Sequence, residues 1–532
     1  MTIKKNILKK NFILMFVMFF ILSLFIFWLV YFVQPDSDEF LAYYNIACKK
    51  FEGSRLAYVS GYDIGCENFK LKFFGYEYTK SYSYLGLSSA LLYSPFYLAF
   101  PNIESHYIYG LFFLILFSFL LTKSLDLKWQ ISLLPLLYFP LCFLFLHDTG
   151  PIKIAMFTLP ILIIIFKRIL SSNSLSFFNF FLVFLASASI IIALEDKSFY
   201  LFLLPSFVAA AFLIALKDEK NKTIFLKINT KYLDIKIPKN ILILAAFFLT
   251  TVLIAIFLLF VLTTKHVQKF DFDVPYIGYL YAISPKISFF EQLNYLLLYT
   301  LVPIAHADRI FELENSLINT KNLLSLLSFL PIILILRHYI KQNTKIVKTL
   351  LFTPIIILII IFLILRNTWS GHHFIFLHLF FLPLIMYYAN ANPKNFLRTS
   401  CALIICTLVS IGILSSTKTN IRSSKDISEI SSYLNDKNIA SKSIINFSSW
   451  GGYMQQSIYG DSSQIVTMTA PINADLALKL ENLRIQKNRI YILNICYNCS
   501  VENIKQVFVS AKNIETVGPK TNDWKLIKIS YD

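Results

Sequence analysis

The sequence predicts an α-helical polytopic membrane protein of about eleven spans, with a small α/β domain at its carboxyl end. Three observations predict this. Hydrophobic residues fill 56% of the 532 positions, with 52 Phe and a mean hydropathy of +0.62, a content that one soluble core cannot absorb. Apolar runs that match or approach a bilayer core of about 30 Å recur along residues 1–416. Beyond residue 417 the runs shorten and alternate with polar stretches.

The first apolar run, 11–33, follows Lys4, Lys5, Lys9 and Lys10. It is too long for a signal-peptide core and no small-residue cleavage site follows, so a retained anchor is expected. Further spans are expected at 107–122, 131–147, 152–166, 177–194, 199–216, 241–263, 323–340, 350–366, 373–389 and 400–415. Two more apolar stretches, 85–100 and 289–305, are interrupted by Ser, Pro, Tyr and Asn and are read as interfacial segments. Charge supports that choice. The regions it places inside (1–10, 123–130, 167–176, 217–240, 337–349 and 390–399) hold 21 Lys and Arg against 4 Asp and Glu, while the remainder holds 28 against 27. Such a partition follows the positive-inside rule, with the amino terminus cytoplasmic and the carboxyl end outside. The basic balance is thereby a topology signal, and no nucleic-acid partner is implied.

The spanning domain, 1–416, then carries large outer loops at 34–106 and 264–322, and 417–532 forms an extracytoplasmic domain. Within that tail, 444–447, 465–468 and 490–493 read as strands, and 426–434 and 474–483 as helices. The turn Ser448-Ser449-Trp450-Gly451-Gly452-Tyr453 lacks the spacing of a nucleotide-binding loop. Cys48 and Cys66 fall in the first loop and Cys496 and Cys499 in the tail, so two disulfides are expected on an oxidising outer side. For Cys496-Tyr-Asn-Cys499 the rivals are a redox motif, half a zinc site or unpaired thiols; no second ligand pair and no thioredoxin-like context accompany it.

Ionisable residues collect on the outer side. Asp36, Asp38 and Glu39 follow the first span; His147, Asp148 and Lys153 bracket the next turn; Glu195, Asp196 and Lys197 form a third cluster; Arg366, His372 and His373 flank a fourth. Any outer turn needs polar residues, but acids and bases shared around one membrane face suit a site that handles a phosphate at the interface.

Asp38-Glu39, followed by Tyr43, Tyr44 and Ala47, resembles the acidic pair and helix after the first span in the GT-C superfamily of polyprenyl-phosphate-sugar glycosyltransferases, including its protein mannosyltransferase-like and aminoarabinose transferase-like branches. Segment 82–97 lies where such proteins carry an interfacial helix, although their frequent Pro-Pro pair is missing. The resemblance implies a GT-C-like enzyme of the bacterial inner (plasma) membrane, which moves sugar from a polyprenyl-phosphate donor to a glycan, lipid or protein acceptor of the cell envelope. In that chemistry Asp38 is the base, Glu39 or Asp36 positions it, and Asp148 is a second acid. Lys153, Lys197, Arg366, His372 and His373 are the candidates for donor phosphate contact. No cofactor is demanded, though a divalent metal is compatible with the acids. The competing class is a transporter or flippase, against which the spans carry few ionisable residues and show no inverted repeat; a third class is a receptor that binds through its tail.

Overall fold

The computed structural model describes residues 16–28, 56–58, 70–73, 76–79, parts of 92–100, 104–147, 152–171, 175–196, 200–218, 225–229, 232–236, 242–254, 257, 288–301, 330–341, 345–365, 371–415, most of 429–434, 439–448, 465–468, 473–497, 499–521 and 524–531. The chain is mostly helical, with a small sheet built largely from its carboxyl end.

In chain order the helical part runs α1 (Phe16–Trp28), α2 (Glu104–Ser124), α3 (Leu133–Leu137), α4 (Phe139–His147), α5 (Ile152–Ser171), α6 (Phe177–Asp196), α7 (Tyr200–Asp218), α8 (Leu242–Ile254), α9 (Phe289–Leu301), α10 (Leu330–Lys341), α11 (Lys345–Leu365), α12 (Gly371–Asn390) and α13 (Pro393–Ser415). Every expected span overlaps a helix. Among the described residues, four helices are long and apolar enough to cross a membrane by themselves: Ser105–Ser124, Lys153–Ser171, Phe177–Leu194 and Pro393–Ser415. The segment 131–147, expected as one straight span, is bent by 75° between Leu137 and Phe139. Pro135 and Pro140 explain the break, because neither supplies a backbone N–H and each clashes with the preceding turn.

Helix α9 falls on the segment expected to be interfacial, 289–305, and its thirteen described residues span about 20 Å. Ser288 starts it with a reciprocal cap: its backbone N–H donates to the Glu291 carboxylate at 2.8 Å, and the Glu291 N–H donates to Ser288 Oγ at 3.2 Å. The Ser288 backbone N–H first, and then the Ser288 side chain, hold the Glu291 carboxyl below its ordinary range.

Helix α7 packs between α5 and α11, while α12 touches α9, α10, α11 and α13. Hydroxyls inside the bundle turn back onto their own helices, Ser118 donating to the Leu114 carbonyl at 2.7 Å and Ser187 to that of Val183 at 3.0 Å. In an apolar surround this satisfies them at no cost to a neighbouring helix. Gly110 lets α2 meet α4: a Cβ there would lie 2.2 Å from the carbonyl oxygen of Phe145. Gly110→Ala must push the two helices apart, and a loss of about 1–3 kcal/mol is expected. A fall in the unfolding temperature of the purified protein checks this, and an unchanged temperature contradicts it.

The sheet has the order β1-β7-β6-β8-β10-β9, with strands Leu56–Tyr58 (β1), Ser443–Phe447 (β6), Ile465–Met468 (β7), Tyr491–Tyr497 (β8), Asn513–Val517 (β9) and Trp524–Ser530 (β10). Neighbours from β1 to β8 run parallel, and β10 and β9 are added antiparallel. Strand β6 is buried along its whole length, as a parallel strand covered on both faces must be. One face, with Ile444, Ile492 and Ile527, packs on Leu476 and Leu480 of α14 (Ala474–Gln486) and on Ile504 of α15 (Val501–Val507). The other face, with Ile445, Phe447, Leu493 and Ile495, belongs to one apolar cluster continuous with the helical bundle. Two hairpins stand apart, β2–β3 (Lys70–Phe73, Tyr76–Thr79) in the first loop and β4–β5 (Phe225–Asn229, Tyr232–Lys236) in the Lys-rich 217–240 loop.

Candidate active site

Two sets of contacts separate the faces of the bundle. At one face Lys167 Nζ meets Asp126 Oδ2 at 2.7 Å, and the Lys128 N–H donates to Asn390 Oδ1 at 3.3 Å. Regions 123–130, 167–176 and 390–399, expected on one side from charge alone, are thereby adjacent. At the other face, Leu56, Ala57 and Tyr58 of the first loop pair with Val466, Thr467 and Met468 of the tail. A β ladder cannot cross a membrane as an isolated edge, so the first loop and the tail share a side.

Lys153 lies in the first turn of α5, wholly buried. Its Nζ sits 5.1 Å from the ring centroid of Tyr109, a cation–π distance. The Tyr109 ring meets Tyr93 edge-on at 5.3 Å, and Tyr93 Oη bonds Ser105 Oγ at 2.5 Å. Ser105 and His106, both without exposed surface, open α2 directly after the first loop. Lysine and these polar groups are thus held together where the first loop re-enters the bundle. A cation and hydroxyl groups gathered at this re-entry are of the types that contact a phosphate, which makes the cluster a candidate site for one.

Deeper in the bundle, Tyr138 at the bend between α3 and α4 bonds His378 Nδ1, and His378 Nε2 lies 2.8 Å from the carbonyl oxygen of Tyr299. A carbonyl only accepts, so the proton sits on Nε2 and the Tyr138 hydroxyl donates to Nδ1. This trio ties α12 to the bend and to α9. Thr158 and Tyr200 make a similar tie between α5 and α7. Neither group was expected from the sequence, where a lone His within an apolar run carries no partner signal; the paired prolines around Tyr138 were the available clue.

Of the expected site residues, Lys153 takes its place in the cluster. His372 and His373 fall in the first turn of α12, with their side chains outside the described residues, and Asp36, Asp38, Glu39, Asp148, Lys197 and Arg366 also lie outside them, as do Cys48 and Cys66. Cys496 and Cys499 are joined as a disulfide, which bridges the end of β8 to the residue before the α15 cap, Ser500. Among the described residues no group of three or more His, Cys, Asp or Glu is placed to hold a metal ion.

No protein-family model and no curated protein matches the chain. Among solved structures it is similar to ArnT from Cupriavidus metallidurans bound to undecaprenyl phosphate, with a TM-score of 0.49 and 8% identity over 92% of this chain and 96% of that one. It is also similar to the oligosaccharyltransferase of Archaeoglobus fulgidus tethered with an acceptor peptide, with a TM-score of 0.40 and 10% identity over 96% and 74% of the two chains. A complex of the AglB oligosaccharyltransferase from the same organism with an inhibitory peptide and a dolichol-phosphate gives 0.40 and 12% over 90% and 69%. At these TM-scores no residue correspondence follows.

Proposed function

We propose that the chain is a membrane glycosyltransferase of GT-C type, moving a sugar from a polyprenyl-phosphate donor to a cell-envelope acceptor on the extracytoplasmic face. The observation that carries this reading is Lys153, a fully buried ammonium beside the re-entry of the loop that begins with Asp36, Asp38 and Glu39. A buried cation near a carboxylate-bearing loop matches the two needs of transfer from a lipid phosphate. The acceptor hydroxyl oxygen attacks the anomeric carbon, and its proton passes to the Asp38 carboxylate. The bond from the anomeric carbon to the phosphate oxygen breaks, and the polyprenyl phosphate leaves with its charge met by Lys153. Lys197, Arg366, His372 and His373 are further contacts for that phosphate in this reading, with Glu39, Asp36 and Asp148 shaping the base. A divalent metal is not required by this scheme.

Lys153→Met keeps an unbranched side chain, one atom shorter, and removes its charge. Transfer by the purified variant, from a polyprenyl-phosphate sugar to an envelope extract, should fall about 10- to 150-fold in kcat/KM, the equivalent of one charge-assisted bond of roughly 1.5–3 kcal/mol. Wild-type transfer rates in this variant would remove Lys153 from donor handling. A transporter would instead give no transfer with any donor while still moving an intact lipid-linked substrate.

A further inference from the structure

The Cys496–Cys499 disulfide joins residues at a sequence separation of three. So short a loop has little closure entropy to lose, and the bond stabilises less than a crosslink over a long loop does. Both of its ends are also held without it. Cys496 lies in the β8–β10 ladder opposite Lys525, and the pairing continues to Tyr497 and Trp524. Just beyond Cys499, Ser500 caps α15, its Oγ accepting from the Asn503 N–H at 3.1 Å. The Lys525 ammonium donates to the Cys499 carbonyl oxygen at 2.9 Å and so closes the same turn without a covalent bond.

The two sulfurs are unequal. Cys496 is 2% exposed and packs in the cluster of Ile492, Ile504 and Ile527, whereas Cys499 lies at the edge of that cluster and is partly exposed. A thiolate in solution therefore reaches Cys499. Attack on one sulfur of a disulfide expels the other as a thiolate, which leaves faster when a nearby cation meets its charge. Residues directly opposite in an antiparallel pair share a face, so the Lys525 stem stands beside Cys496 while its ammonium is anchored on Cys499. The cation thus sits at the corner where the charge of the departing Cys496 sulfur develops.

We propose that Cys496–Cys499 is a thiol-exchange site, opened at Cys499 by a dithiol. One thiolate of the dithiol attacks Cys499 Sγ, the Cys496–Cys499 bond breaks, and Cys496 departs as a thiolate beside Lys525. The second thiolate of the dithiol then attacks the first sulfur of its own molecule and expels Cys499 as a thiolate. The dithiol leaves as a cyclic disulfide, oxidised, and the protein pair is reduced.

The test uses oxidised full-length protein in mild detergent, with new thiols trapped by a maleimide and located by peptide mass spectrometry. Reduced glutathione, which has one thiol, should form its mixed disulfide on Cys499 at least about tenfold more than on Cys496. Millimolar dithiothreitol should open the bond in the folded protein and shift the unfolding temperature of the 443–531 region by no more than about 4 °C. Lys525→Met should slow opening about three- to tenfold, and Lys525→Arg, which keeps the charge, should restore the rate. If the Met variant does not fold, the glutathione position and the unfolding temperature of the wild type decide. A mixed disulfide on Cys496, a bond that opens only once the sheet has unfolded, or an unchanged rate in folded Lys525→Met would each overturn the proposal.

Discussion

Asp38→Asn should lower sugar transfer by about 10² to 10⁴ while leaving expression and membrane insertion unchanged, since general-base catalysis contributes on that scale. Asn keeps the size and most of the hydrogen bonding of the carboxylate but cannot hold the acceptor's proton. The comparison with Lys153→Met separates two roles. Loss of the base should appear in kcat with donor affinity preserved, whereas loss of the lysine should weaken donor handling as well. Purified wild type and variant, supplied with the same polyprenyl-phosphate sugars and envelope extract, give the measurement. Full transfer by the Asn variant would take Asp38 out of the reaction.

The second large effect is structural. Trp524 opens β10 without exposed surface, opposite Tyr497 in the ladder and with the two rings 5.9 Å apart. Truncating so large a buried side chain leaves a cavity the sheet cannot refill, and Trp524→Ala should cost about 3–5 kcal/mol. That is a large fraction of the roughly 5–15 kcal/mol that holds a domain folded. Limited proteolysis of the purified variant should therefore cut the 443–531 region at a temperature where the wild type resists, with the membrane helices still protected by detergent. Equal resistance would show that Trp524 is not a keystone of this sheet.

Helix positions were legible in the sequence because an apolar run with no partner but lipid has one stable backbone solution. Bending at Tyr138 was less so, although Pro135 and Pro140 mark it. In the tail, β6, β7, β8 and α14 fall where their residue patterns place them, and the alternation in Trp524-Lys-Leu-Ile-Lys-Ile-Ser530 was a strand signal passed over. The three residues of β1 could not have been read at all, since Leu-Ala-Tyr is too short for a period and its partner is remote. The candidate site divides similarly. Lys153 was expected from its position at a span end, but its neighbours Tyr93, Ser105 and Tyr109 are ordinary residue types whose meaning comes only from the contact.

The β1–β7 pairing sets a timetable for assembly. Leu56 waits for Val466, which the ribosome adds 410 residues later. At about 5–20 residues per second this interval is on the order of 20–80 s, long against the microseconds in which local helices form. Throughout it the first loop, with the acids proposed for catalysis, has already been made while the edge it docks against does not yet exist. The loop proposed to carry the base is thus among the first elements to be made and among the last to be completed, so a chain that stalls before the tail lacks the strand partner of its first loop.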